Sequence, residues 1–306
     1  MSQDIVLSVK NLSVVFHTPD GDVIAVNDVS FDLHSGETLG IVGESGSGKS
    51  VTASSLMRLN NSSTASTTGS IVVSGVDILT ASEDEVRHLR GSEVAMIFQD
   101  PLSALNPYYT VGKQIAEAYL VHHPEASKTD ARRITLEMLK KVGIPNPEKR
   151  IDEYPHQFSG GMRQRIVIAI ALINNPKVLI ADEPTTALDV TVQAQILDLI
   201  KDLQAEFNMA VILITHDLGV IAESAQNVLV MYAGRIVERS TVNALFSEPT
   251  HPYAWGLLGA VNSLETSGRG ALATIPGSPP SLIALPSGCS FNPRCAFVSE
   301  ICTIEV

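Results

Sequence analysis

An eight-residue glycine-rich segment, directly after an apolar strand, limits most strongly what this chain can fold into. Residues 43–50 have the sequence Gly-Glu-Ser-Gly-Ser-Gly-Lys-Ser and match the phosphate-binding pattern GxxxxGK followed by Ser or Thr. The apolar run 39–42 precedes the loop, and helical residues follow it. Glycines allow successive backbone N–H groups and the helix N-terminus to face a phosphate. The pattern therefore predicts a nucleotide cradle formed by Gly43, Ser45, Gly46, Ser47, Gly48, Lys49, Ser50 and Val51.

A phosphate-binding loop of this kind works together with a lysine, a hydroxyl group and carboxylates. We expect Lys49 to reach the β- and γ-phosphates and the Ser50 hydroxyl to bind Mg²⁺. A second apolar run, 178–181, ends at Asp182 and Glu183. Asp182 is the expected carboxylate for Mg²⁺, and Glu183 is placed to accept a proton from the attacking water. The predicted chemistry is hydrolysis of a nucleotide with Mg²⁺.

Strands alternate with helices along much of the chain, which predicts an α/β core with a parallel sheet. In the first forty residues apolar and polar positions alternate, so short strands with a hairpin turn at 19–21 are expected. Residues 60–70 consist almost wholly of Asn, Ser, Thr, Ala and Gly, which predicts a surface loop. Apolar spacing from 192 to 207 predicts a helix. Further apolar strands are expected at 94–98, 178–181, 210–214 and 228–232.

Composition excludes several other classes of protein. The 306 residues include 21 Lys and Arg against 33 Asp and Glu, a net charge of −12, which disfavours a surface that binds nucleic acid or anionic lipid throughout. No apolar run approaches the about 18 residues of a membrane span. The first residues lack the features of a secretion signal, and three cysteines do not indicate a disulfide framework. A cytoplasmic protein is expected.

Five residues between the phosphate loop and the Asp-Glu strand add a family resemblance. Phe158-Ser159-Gly160-Gly161-Met162 resembles the LSGGQ signature of ATP-binding-cassette (ABC) ATPases and occupies the same place in the chain order. Gln99 resembles the Q-loop of that family, Ala187-Leu188-Asp189 its D-loop and His216 its switch histidine. The similarity extends over about residues 5–240. The fold it implies is a P-loop NTPase (RecA-like) core with an antiparallel β subdomain, an α-helical signature subdomain at about 100–165 and an irregular C-terminal extension.

The resemblance also implies roles for individual residues. Glu183, His216 and Gln99 would be catalytic, and Gln99 would join Ser50 and Asp182 at Mg²⁺. Phe16 would stack on the purine base, although a place in the apolar core is an equal alternative for it. The implied domains are an ATPase domain, 1–247, and a C-terminal extension, 248–306. The remaining implied contacts with nucleotide come from Ser159, Gly160, Gly161 and Asp189.

The signature implies that such an ATPase works as a pair. Ser159 opens a helix whose free N–H groups form a second phosphate cradle. In the family, this cradle faces the nucleotide of the opposite subunit. Met162 stands where the family has Gln, and a thioether cannot make the polar contacts of an amide. The contribution of the signature to the opposing nucleotide is therefore expected to differ here.

Several longer segments resemble the oligopeptide, dipeptide and nickel importers within the ABC family: 96–101, 105–107, 154–158, 181–191 and 251–253. This similarity implies uptake of oligopeptides or dipeptides, with nickel or another small solute as an alternative. A soluble ABC ATPase that acts on nucleic acid or the ribosome is a further alternative, which a single cassette and the acidic charge disfavour.

The same similarity implies partners and a location. The expected partners are two transmembrane permease subunits, a second ABC ATPase subunit (a paralogue or another copy) and an extracytoplasmic substrate-binding protein, with no nucleic acid. The chain would lie on the cytoplasmic face of the inner membrane as a peripheral protein. A segment that includes Pro101, Leu105 and Tyr109 would receive the coupling helices of the membrane subunits.

Cys289, Cys295 and Cys302 have the spacing C-x₅-C-x₆-C near the C-terminus. Thiolates gathered in a cytoplasmic protein suggest a soft metal or an iron–sulfur cluster. The segment resembles the tail of peptide-importer ATPases, in which four cysteines can hold a [4Fe–4S] cluster. The sequence ends at Val306, before the family's position for the fourth cysteine. A truncated sequence and three free thiols are both open interpretations.

Overall fold

The computed structural model describes residues 4–100, 104–186, 188–266 and 275–305, with the side chains of 260–266 left out. The strands, in chain order, are β1 (Ile5–Thr18), β2 (Gly21–His34), β3 (Thr38–Val42), β4 (Ala65–Val73), β5 (Val76–Asp77), β6 (Val94–Ile97), β7 (Val178–Asp182), β8 (Ala210–Ile214), β9 (Asn227–Tyr232) and β10 (Arg235–Thr241). The helices are α1 (Lys49–Leu56), α2 (Glu83–Leu89), α3 (Val111–Leu120), α4 (Lys128–Lys141), α5 (Pro147–Arg150), α6 (Gly160–Leu172), α7 (Val190–Phe207), α8 (Leu218–Ser224), α9 (Val242–Ser247) and α10 (Pro252–Thr266).

These elements form two compact units, which we name by the motif that each contains. The P-loop unit holds the phosphate-binding loop and comprises residues 7–33, 37–81 and 212–305. The signature unit holds Ser159 and comprises 82–211 with two short segments at 4–6 and 34–36.

The P-loop unit contains an antiparallel sheet and a group of parallel and antiparallel strands beside the loop. The antiparallel sheet has the strand order β2-β1-β4-β5, as expected for the β subdomain. β3 is paired in parallel with β9, from Leu39 opposite Asn227 to Val42 opposite Val230. β10 follows β9 as its antiparallel neighbour. All five residues of β3 are buried, so the strand that leads into the phosphate loop is held by packing on both faces.

The signature unit supplies the second parallel pair and most of the helices. β6 and β7 are paired in parallel, from Val94 opposite Val178 to Ile97 opposite Ala181. Every residue of both strands is buried, which explains their continuous apolar sequences. Helices α3, α4 and α5 lie in the stretch predicted to be helical. The α/β fold class is confirmed, and the domain boundaries at 247 and 248 stay a prediction.

Two sequence-based expectations are wrong. The loop expected at 60–70 ends early, because β4 begins at Ala65 and pairs with β1, with Ala65 opposite Phe16. The ladder offered by β1 therefore outweighs the local preference of Ser and Thr for turns. The expected irregular extension contains α10, which begins at Pro252, where the first turn of a helix tolerates a proline. Beyond it, the described residues 275–305 form only two short 3₁₀ turns, Asn292–Arg294 and Glu300–Thr303.

Among the described residues, no helix is both long enough and apolar enough to cross a membrane.

The side-chain amide of Gln164 in α6 is buried, and its replacement tests the packing around this helix. Gln164 is 1% exposed, and neither polar atom of its side chain has a hydrogen-bonding partner among the described residues. An unsatisfied buried polar group costs about 1–3 kcal/mol, so we expect Gln164→Met to raise the free energy of unfolding by about 1 kcal/mol. Chemical denaturation measures the change. Gln195→Met, at an exposed position of α7, should have no effect. A Gln164→Met protein less stable than the wild type would contradict this account of the site.

Candidate nucleotide-binding site

The phosphate-binding loop, 43–50, connects β3 to α1, as the sequence predicts. Two of its glycines are required by close packing against neighbouring backbone. A Cβ atom on Gly43 would lie 2.3 Å from the Met231 carbonyl oxygen, and one on Gly48 would lie 2.5 Å from that of Ala25. Gly48 also has a φ of 103°, which a residue with a side chain rarely adopts. The loop is therefore packed in one shape by the strands around it.

Lys49 lies along this loop with its side chain almost fully buried. Its Nζ donates to the carbonyl oxygens of Gly43 (2.7 Å) and Glu44 (2.9 Å) and to Oγ of Ser47 (3.4 Å). These contacts hold the ammonium group inside the curve of the loop, where a phosphate would be bound. Of the other predicted residues, Ser47 and Gly48 are buried, Val51 is half-buried, and Ser45, Gly46 and Ser50 are exposed.

The carboxylates of the signature unit lie at the end of β7. Asp182 is its last residue and is 6% exposed. The Glu183 Oε2 atom accepts hydrogen bonds from Nε2 of Gln99 (2.9 Å) and from the Thr186 hydroxyl (2.8 Å). Glu183 has a φ of 48°, a conformation that non-glycine residues adopt mainly where the surrounding structure imposes it. The structure thus brings the predicted residues Gln99 and Glu183 together, and it adds Thr186, which sequence reasoning missed.

The signature and the D-loop also come together within the signature unit. Ser159 is the N-cap of α6, and its Oγ accepts from the Met162 N–H at 3.4 Å. Gly160 and Gly161 form the first turn, and a Cβ atom on Gly161 would lie 2.6 Å from Cγ1 of Val192. Val192 belongs to α7, whose N-cap Asp189 accepts from the Val192 N–H at 3.0 Å. The absence of a side chain on Gly161 therefore allows the two helix N-termini to approach.

Met162, which stands where the family has Gln, contacts the guanidinium of Arg150. Its sulfur accepts a hydrogen bond from Nη1 of Arg150 at 3.7 Å. The same guanidinium lies 5.5 Å from the centroid of the Phe158 ring. The thioether thus packs with the residues that precede the signature helix.

The roles predicted for the remaining residues stay predictions. Phe16 is half-buried in β1 opposite Ala65, and its stacking on a base stays a prediction. His216 is exposed, two residues after β8. Pro101 and Ala187 lie outside the described residues.

The three cysteines are half-buried near the C-terminus and do not form a ligand set. The Cys289 N–H donates to the Cys302 carbonyl oxygen at 2.9 Å, which is a backbone contact. Hydrogen bonds from Ser299 lower the pKa of the Cys302 thiol. Within the described ranges, no group of three or more His, Cys, Asp or Glu side chains is arranged to hold a metal ion. The arrangement of the three cysteines does not fit an iron–sulfur cluster, and the predicted [4Fe–4S] cluster has no support from the described residues.

One cluster around the phosphate loop was not predicted. Glu44 occupies a variable position of the loop pattern, so its residue type carries no signal. Its carboxylate is paired with Arg294 at 2.6 Å, and its N–H donates to the Tyr253 hydroxyl at 2.8 Å. Arg294 is 250 positions away in sequence and is flanked by a cysteine. No local pattern could have identified this contact.

Comparison with known proteins places this geometry in a family. Residues 26–186 match the ABC transporter family, and residues 237–302 match the oligopeptide/dipeptide transporter C-terminal region. The oligopeptide transport ATP-binding protein OppD of Escherichia coli strain K12 is 54% identical over 300 residues, 98% of this chain and 88% of the relative. The dipeptide transport ATP-binding protein DppD of Bacillus subtilis strain 168 is 54% identical over 298 residues, 97% of this chain and 88% of the relative.

A solved structure supports the fold. A dimeric ATP-binding cassette in a post-hydrolysis state with ADP and phosphate aligns with a TM-score of 0.69 and 27% identity, over 77% of this chain and 98% of that one. The phosphate loop, the signature and the Asp-Glu strand all lie within the part of the chain that matches the family. The chain belongs to the ATP-binding proteins of the ABC transporter family, and its C-terminal part belongs to the oligopeptide/dipeptide branch of that family.

Proposed function

We propose that this chain hydrolyses ATP to drive import of oligopeptides or dipeptides through separate membrane subunits. The observation that carries the proposal is the joint match to the ABC transporter family and to the oligopeptide/dipeptide C-terminal region, over a complete series of ATPase motifs. The C-terminal match favours peptides over nickel as the imported solute. The three cysteines have no part in this reaction.

The residues divide the chemistry between binding and proton transfer. Mg²⁺, when bound, neutralises charge on the β- and γ-phosphates. The backbone N–H groups of 43–50 and the Lys49 ammonium bind the phosphates, and the carboxylate of Asp182 and the hydroxyl of Ser50 hold the metal. Glu183 accepts the proton of the attacking water. The hydrogen bonds from Gln99 and Thr186 fix the orientation of the Glu183 carboxylate, so that Glu183 needs little rearrangement before reaction.

The proposal includes a second ATPase subunit. The exposed N-terminus of α6, with Ser159, Gly160 and Gly161, offers free N–H groups to a phosphate. We assign this cradle to the nucleotide of the partner, which is a paralogous ATPase or another copy of this chain. His216 and Asp189 complete the proposed site, and Phe16 is the proposed stacking surface for the base.

A groove of about 690 Å³ in the signature unit is the proposed contact with the permease subunits. Helices α3 and α4 form it, and Tyr109, Lys113 and Val121 lie along it. Val121 is 64% exposed, and Tyr108, which precedes Tyr109 in the sequence, is 83% exposed. Exposed apolar side chains that lie together are typical of an interaction surface. The Lys113 ammonium lies 3.7 Å from the centre of the Tyr109 ring. Binding of the permease subunits at this groove would keep the chain on the cytoplasmic face of the inner membrane. The proposed complex also includes an extracytoplasmic binding protein.

Replacing the proposed base tests the reaction. Glu183→Gln keeps the size of the side chain and removes its basicity, so ATP hydrolysis should fall by about 10²–10⁴-fold while ATP binding persists. Phosphate release and nucleotide binding are measured on the assembled transporter. Glu137→Gln, an exposed carboxylate of α4, is the control and should hydrolyse ATP normally. Hydrolysis by Glu183→Gln at a rate near that of the wild type would show that Glu183 is not the base.

A bulky cation at the signature tests the paired arrangement. Ser159→Arg should reduce hydrolysis by the assembled transporter about 100-fold, because it obstructs the cradle offered to the partner's nucleotide. Binding of ATP by the chain's own phosphate loop should be retained, as measured with a fluorescent ATP analogue. The matched control is Ser127→Arg, since Ser127 caps α4 in the same way that Ser159 caps α6. Normal turnover by Ser159→Arg would exclude the proposed role.

A charge in the groove tests the permease contact. Val121→Glu places a carboxylate on the proposed apolar surface, and recovery of the permease subunits with the tagged chain should fall about tenfold or more. Co-purification in detergent, quantified by gel densitometry, provides the measurement. Ile5→Glu changes an exposed residue outside the groove and should leave recovery unchanged. Equal recovery with both variants would refute the assignment of this groove.

A further inference from the structure

The C-terminal part of the chain contacts the phosphate-binding loop at Glu44. Both nitrogens of the Arg294 fork donate to its carboxylate, Nη1 to Oε2 at 2.6 Å and Nη2 to Oε1 at 3.1 Å. A bidentate guanidinium–carboxylate pair fixes both the distance and the orientation of its partners. All of these residues belong to the P-loop unit. Glu44 is therefore held from outside the loop.

Arg294 itself is held in place by further contacts. It is 7% exposed, its Nε donates to the Pro276 carbonyl oxygen at 2.8 Å, and its Nη1 lies 3.4 Å from the Tyr232 hydroxyl. The pair with Glu44 raises the pKa of the guanidinium, which remains charged. A buried charge of this kind is stable only with its partners in place. The position of the Glu44 carboxylate is thus coupled to the folding of the C-terminal segment.

Tyr253 supplies a second contact from the same part of the chain. Its hydroxyl accepts the Glu44 N–H at 2.8 Å, and the residue is fully buried. The Tyr253 ring lies 4.6 Å from the Tyr232 ring and 5.4 Å from the Phe291 ring, between centroids. Burial raises the pKa of Tyr253, so its hydroxyl stays neutral. This aromatic cluster gives the acceptor oxygen a fixed position.

Glu44 connects these contacts to the lysine of the loop. Its carbonyl oxygen accepts from the Lys49 Nζ at 2.9 Å, so the N–H, the C=O and the carboxylate of one residue are all bound. The pairing with Arg294 also neutralises a carboxylate within the loop. Unpaired, that negative charge would oppose the binding of a phosphate.

We propose that Arg294 and Tyr253 are positioning residues for nucleotide binding, which act through Glu44 on the phosphate loop and Lys49. The proposal rests on the proposed function, because it assigns ATP to this loop. It gives the C-terminal region a role in the affinity for nucleotide. It requires no metal and no change at the cysteines.

The test combines nucleotide affinity with exchange of the loop amides. Arg294→Met removes the ion pair with Glu44. Tyr253→Phe removes only the hydroxyl oxygen that accepts the Glu44 N–H. Because this second change is smaller, it provides a folded variant if Arg294→Met is unstable. We expect each to weaken binding of a fluorescent ATP analogue by the full-length chain about tenfold. Hydrogen–deuterium exchange of 43–50 should accelerate in both. Arg294→Lys, which keeps the charge without the fork, should restore part of the affinity.

A double-variant comparison separates positioning from a general loss of stability. Glu44→Gln should also weaken binding, but less than Arg294→Met, because it leaves no unpaired carboxylate in the loop. The two together should weaken binding no further than Arg294→Met alone, since both break one pair. Additive losses would overturn the proposal. Arg133→Met, which breaks the exposed pair with Glu137 in α4, is the control and should change neither readout.

The exchange measurement distinguishes this inference from the proposed function. A wild-type chain that does not bind the ATP analogue would refute the proposed function, while exchange at 43–50 would still report on the loop. Unchanged exchange in folded Arg294→Met and Tyr253→Phe would refute the positioning role, whether or not ATP binds. Unchanged affinity in both variants would also refute it.

Discussion

The close packing of the phosphate-binding loop against neighbouring backbone is the constraint on which the nucleotide site depends. The carbonyl oxygens of Met231 and Ala25 leave no space for a side chain on Gly43 or Gly48. The loop therefore takes a shape in which its own carbonyls surround the Lys49 ammonium. A buried cation needs such acceptors, because an unpaired charge in a low-dielectric site is costly. The preformed cradle for an anion is thus the result of ordinary packing of the loop against β2 and β9.

In the signature unit, the surrounding structure likewise fixes the position of a carboxylate, that of Glu183. The left-handed backbone at Glu183 is a sparsely populated conformation, which persists where the surroundings determine it. Glu183 follows directly after β7, whose residues are all buried. Gln99 and Thr186 both donate hydrogen bonds to one carboxylate oxygen of Glu183. The strain and the hydrogen bonds together restrict the orientation of the carboxylate. In its proposed role as the base, Glu183 would lose less entropy in the transition state because it is already oriented.

The parts of the fold that sequence predicts well are those set by local pattern. The strand 210–214 has the predicted bounds, since its apolar run is buried throughout, and the helix 190–207 follows from the spacing of its buried face. The region 65–70 was missed because its strand depends on a partner 49 or more positions away, β1, and not on its own Ser and Thr. At the site, motif residues were predictable because their types follow from chemistry. Glu44, Tyr253 and Arg294 were not, since their importance arises from a contact between distant segments.

The ion pair between Arg294 and Glu44 makes the C-terminal region part of the surroundings of the phosphate loop. A segment predicted as an irregular extension belongs to the same compact unit as the phosphate loop, and it buries an arginine whose charge is matched by a loop carboxylate. Removal of either partner would leave the other poorly solvated, so the fold of the segment and the shape of the loop stabilise each other. The coupling between the segment and a bound ligand is reciprocal. Any ligand that prefers the ordered loop also favours the docked segment, and a segment that docks well raises the affinity for that ligand by the same factor.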